Sequence, residues 1–114
     1  MDSGKITATI AGGASLSPKI SIPVSWHLLG IAMPESWTAA NLTFQVSHND
    51  GITFYDFYDD GGNEVTVTAD GSRFIALTPR IWAGVSHIKV RSGTSGTPVN
   101  QAATRSLILM GRDY

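Results

Sequence analysis

Residues 41–62, NLTFQVSHNDGITFYDFYDDGG, alternate with a period of two and then turn. Leu42, Phe44, Val46 and His48 fall on one side of an extended chain, and Thr43, Gln45 and Ser47 on the other. Asn49-Asp50-Gly51 is turn chemistry: Asn and Asp bond to nearby backbone, and Gly takes a positive φ without steric cost. Residues 52–58 are β-branched and aromatic, and Asp59-Asp60-Gly61-Gly62 ends the run with a second turn. One β-hairpin is expected here, and a period of two leaves a helix nothing to bury.

Within the hairpin, Ser47, Asn49, Gly51, Thr53 and Phe54 fall on the pattern S-x-D-x-G-x-T-W, with Asn49 in place of Asp and Phe54 in place of Trp. The stretch therefore resembles the Asp-box hairpin of sialidases and many secreted β proteins. In those families the motif is structural and lies away from the active site. The resemblance implies a hairpin and not sialidase chemistry.

The same alternation recurs along the chain. Residues 5–11, 16–22, 63–68, 72–78, 86–92 and 105–111 read as strands, punctuated by Gly, Pro or Asx every ~8–12 residues. Residues 24–33, VSWHLLGIAM, fit a buried strand with a bulge at Gly30 or a short helix; Trp26 and the β-branched flanks favour the strand. Residues 80–84 and 93–103 read as loops. The pattern implies one all-β domain over residues 1–114, an antiparallel β-sandwich of eight or nine short strands. Long ties at 30–40 and 93–104 favour a jelly-roll-like arrangement. Its inner face is expected to hold Ile6, Ile10, Leu42, Phe44, Val46, Val65, Val67, Phe74, Ile88, Val90, Leu107 and Leu109. His87, Lys89 and Arg91 form an expected basic outer row.

Composition narrows the function. Charged residues make up only 15% of the chain, and the net charge is −1, so broad neutral surfaces suited to packing against another protein are expected. The basic residues are scattered, which argues against nucleic acid as a partner. The chain has no cysteine, which removes disulfides, zinc–thiolate sites and cysteine nucleophiles. Residues 1–4 carry no basic or apolar run of a secretory signal, and no apolar stretch approaches the ~20 residues of a membrane helix.

Catalytic and metal chemistry is not expected. The acidic residues Asp50, Asp56, Asp59, Asp60 and Glu64 do not follow the D-x-D-x-D-G-x5-E calcium loop, and an Asx-rich turn capping backbone donors is the simpler reading. His27, His48 and His87 sit on separate strands with no H-x-H or H-x3-H spacing. No G-x-S-x-G elbow is present. No cofactor is implied. Three tryptophans remain. Trp26 belongs to an apolar strand and reads as core, whereas Trp37 and Trp82 sit in loops, where Trp serves as an interface anchor.

Nearly the whole chain resembles a family of small tailed-phage virion proteins. The stretches that carry this are WTAANLTFQVSHNDGITFYDFYDDGG, EVTVTADGSRFIALTP and HIKVRSGTSGTPVNQAATRSLIL, with KITATIAGGASLS and IAMPESWTAANL nearer the N-terminus. The resemblance implies a virion component made in the bacterial cytoplasm, foremost a capsid decoration (cement) protein on the outer head surface. Its partner would be the major capsid protein, held by a homo-oligomer, with a trimer matched to three-fold lattice sites. Trp37, Trp82, Arg112 and Tyr114 are the expected contacts. The alternative is a carbohydrate-binding or adhesin module of a head fibre or tail.

Overall fold

A computed structural model describes residues 2–113. Its strands are β1 (Asp2–Ile10), β2 (Ile20–Ser21), β3 (His27–Ala32), β4 (Leu42–Ser47), β5 (Tyr55–Asp56), β6 (Phe74–Ala76), β7 (His87–Ser92) and β8 (Arg105–Asp113). Two four-stranded antiparallel sheets pack as a β-sandwich: the first runs β1-β8-β3-β6, the second β2-β7-β4-β5. The pairs nest, β1 with β8, β2 with β7, β3 with β6 and β4 with β5. The chain is thus one long hairpin, folded at the β4–β5 turn and rolled into two layers.

Alternation explains the core. Ile10, Leu42, Phe44, Ile88, Val90, Leu107 and Leu109 are fully buried as expected, and Val46, Val65 and Val67 pack against them half-buried. Burial of each large side chain is worth roughly 1.5–3 kcal/mol. Ala8, Leu28, Ile31, Met33 and Trp82 complete the cluster. Residues 27–32 are a strand and not a helix, and the register slips between Leu28 and Gly30, where a bulge was expected.

Three expectations need correction. Phe74 is not in the core but 60% exposed. It pairs with Ala32, so Ile75 is the inward residue and the Phe74 ring lies over Gly30 on the outer face. Residues 63–68 form only isolated bridges, Tyr58 with Glu64 and Leu42 with Val67. The segment folds back on residues 57–59, through Val65 N–H to Phe57 O and Asp59 N–H to Asn63 O, before it reaches the start of β4. Residues 80–84 are not all loop, since Pro79–Trp82 is a 3-10 turn opened by proline.

Trp26 closes one end of the sandwich. Gly4 and Gly111 pair across β1 and β8 on the inward face. A Cβ added at either would meet the Trp26 ring, at 2.7 Å from Gly4 and 2.3 Å from Gly111. The indole fills the slot that two side chains would occupy, so Trp26 is a plug at the end of the sandwich; it stands before β3 and is half-buried, outside the core cluster in which its apolar setting placed it. Elsewhere Gln101 ties the two long connections together. Its Oε1 accepts from Thr38 N–H at 2.8 Å and Arg105 Nε at 3.2 Å, while its Nε2 donates to Thr38 O at 3.0 Å and Ser92 Oγ at 2.7 Å. A buried amide with both ends satisfied costs little and fixes geometry.

Candidate functional site

The hairpin turn is built from Ser47 and Asn49. Ser47 Oγ donates to Asn49 Oδ1 at 2.8 Å and accepts from Gly51 N–H at 2.9 Å; Asn49 Oδ1 also accepts from Thr53 N–H at 3.0 Å. The amide oxygen thus does what an Asp carboxylate would do at that place. Asp50 and Gly51 take φ of 61° and 80°, the left-handed region that an Asn-Asp-Gly sequence tolerates. Phe54, in the position of the motif's Trp, lies under Lys89, whose Nζ is 4.4 Å from the ring centroid.

Three of the acidic residues do two kinds of work. Asp59 Oδ1 accepts from Gly61 N–H at 2.9 Å and Asn63 N–H at 3.0 Å, capping its own turn. Asp56 and Glu64 instead pair with Arg91. Arg91 therefore does not belong to an exposed basic row. Its side chain is only 5% exposed, roofed by Asp56 and by Glu64, which also accepts from Ser95 N–H at 3.1 Å. Among the described residues no group of three His, Asp or Glu is placed to hold a metal ion.

The expected contact residues are not brought together. Trp82 is not a surface anchor. It is 6% exposed, edge-on to Phe44 with centroids 4.9 Å apart and tilted on Phe57 at 5.1 Å, because the 3-10 turn swings it between the sheets. Its Nε1 is the one buried side-chain polar atom without a hydrogen-bond partner among the described residues. Trp37 is half-buried, donates to Ala40 O at 2.9 Å and neighbours Thr38, whose Oγ1 accepts from Arg105. Arg112 is exposed near the other end of β8, about 24 Å along the strand from Arg105. Tyr114 and Met1 lie outside the described residues.

Two surface features escaped the sequence reading. The first is a row of exposed apolar side chains on the hairpin arm: Ile52 at 82%, Tyr55 at 54% and Tyr58 at 51%. They recur every third residue, a spacing that keeps to neither face of an extended chain, so periodicity does not mark them. The second is a cleft of about 740 Å³ between the 3-10 turn and the connection from β2 to β3. His27, His48 and His87, far apart in sequence, all line it, along with Trp26 and Trp82. His48 stacks on Tyr55 with centroids 5.9 Å apart at 18°, and His87 Nδ1 lies 3.1 Å from Ser86 Oγ. Only the rolled topology assembles this cleft, so no spacing rule could have found it.

Together these features define an all-β domain with exposed apolar side chains and a surface cleft. No protein-family model, curated protein or solved structure matches the chain.

Proposed function

We propose that this chain is a structural protein of a tailed-phage virion, a decoration protein that binds the outer head surface and braces the capsid lattice. The observation that carries the reading is the nesting of the four strand pairs. It supports reading the sandwich as a jelly roll, an architecture of viral capsid and lectin domains. That warrant is an analogy of fold, joined to the sequence resemblance above. The exposed Ile52, Tyr55 and Tyr58 supply what a cement protein needs, apolar and aromatic contact residues. With Trp82 in the core, the hairpin arm replaces it as the capsid-facing candidate, and the major capsid protein is the proposed partner.

Purified protein should rebind capsids stripped of it, saturate at a symmetric stoichiometry and raise their resistance to heat. The double variant Tyr55→Ala, Tyr58→Ala should lose most rebinding while staying folded. Rebinding undiminished by that variant would remove the arm from the contact; no affinity for any capsid would remove the reading.

The second reading is a carbohydrate-binding module. One observation favours it: exposed Tyr55 stacked on His48 at the rim of the cleft, an aromatic surface against which a sugar ring could pack. Saturable glycan binding lost in Tyr55→Ala, with no capsid affinity, would establish it instead.

A further inference from the structure

The four sheet edges of this molecule are not alike. Edge strands normally carry devices against pairing with another chain: shortness, proline, charge or a bulge. Three edges here have them. β6 is three residues long and β5 two, the latter including the ion-paired Asp56. β2 is two residues long and stands between Pro18 and Pro23. β1 has the fewest, only the charges of Asp2 and of the exposed Lys5. It runs nine residues as the edge of the first sheet, without proline and without a register shift against β8. Among the described residues, no hydrogen bond other than the ladder to β8 reaches residues 4–10. Every second residue of an antiparallel edge turns both N–H and C=O away from its one partner. Over residues 4–10, β1 therefore presents a row of bare donors and acceptors about 20 Å long, in a molecule 36 Å in its longest dimension.

We propose that β1 pairs antiparallel with β1 of a second copy of this chain, joining the two first sheets into one eight-stranded sheet across a two-fold axis. The choice of a second copy rests on self-complementarity. With the axis at Thr7, Thr7 meets its own copy, Lys5 meets Thr9, and Ile6 meets Ala8. Outward residues then pair with outward and inward with inward, and no like charges meet. The half-buried Ile6 gains cover at the seam. Edge pairing is isologous and closes at two, so it stands against the three-fold oligomer expected from lattice symmetry. It is independent of whether the partner is a capsid.

Light scattering over a range of concentrations tests it. Wild-type protein should weigh twice the 12.1 kDa chain. Thr7→Lys, at an exposed outward position, sets lysine against lysine on the axis and should weaken dimerisation about fivefold, with an unchanged circular dichroism spectrum. Thr9→Glu sets a carboxylate opposite the partner copy's lysine at position 5 and should tighten it. A wild-type monomer or trimer overturns the inference. So does a Thr7→Lys dimer as tight as wild type, or a Thr9→Glu dimer weaker than it.

Discussion

The two sheets share one core but are held from outside by different means. In the first, β1 and β8 run side by side through an unbroken nine-residue register, and backbone does most of the joining. In the second, strands of two to six residues carry a polar layer on their outer face. Arg91 reaches Asp56 and Glu64, Thr43 Oγ1 donates to Gly93 O at 2.7 Å, and Ser47 organises the hairpin turn. The difference shows how a sheet with little ladder can still be rigid: buried side-chain bonds replace the missing strand length, at the risk of a buried charge if any partner is lost.

Four experiments test that contrast. The largest effect belongs to the shared core, where Phe44→Ala should cost ~3–5 kcal/mol in urea unfolding, through lost burial and a cavity beside Trp82. A near-neutral result would mean that the sheets do not meet there. Next comes the polar layer: Arg91→Met should cost about 2–3 kcal/mol, below the usual figure for a broken buried pair because Asp56 is 42% exposed and can hydrate. If the variant is as stable as wild type, the second sheet does not depend on its ion pairs. In the first sheet, Gly111→Ala should cost about 1–3 kcal/mol by displacing Trp26, and Trp26→Leu in the same chain should recover part of it; additivity of the two would contradict the plug. The smallest effect concerns the turn, where Asn49→Ala should lose about 1–2 kcal/mol and Asn49→Asp almost nothing, measured by thermal melting. A large loss for Asn49→Asp would show that the amide N–H groups matter as well.

The contrast also governs what could be read from sequence. Strands with one face in the core announce themselves by alternation, and β4, β7 and β8 are legible because Leu42, Phe44, Ile88, Val90, Leu107 and Leu109 keep strict parity. Alternation fails where both faces are covered. Arg91 reads as a surface residue and is buried, because its cover comes from residues 56 and 64, whose path depends on tertiary folding. It fails again at an edge, where Phe74 and Ile75 compete for the core and only the register to β3 decides between them. Trp82 was misplaced because a proline-led turn has no periodicity to reveal its inward side. As for the candidate surfaces, the exposed arm lay within a stretch already read as a hairpin, while the cleft needed three residues 21 and 39 positions apart to converge.

The nesting of strand pairs has a consequence in time. Of the eight strands, β1 emerges before the others during synthesis, and its ladder partner β8 emerges after them. Until β8 has left the ribosome, β1 lacks its ladder partner, and every other nested pair except β4 with β5 waits on a distant segment as well. Such non-local closure is slow, on the order of milliseconds to seconds once the chain is complete. The short β4–β5 turn, pinned by Ser47 and Asn49, is the only pairing available early, so the nascent chain has one place to begin.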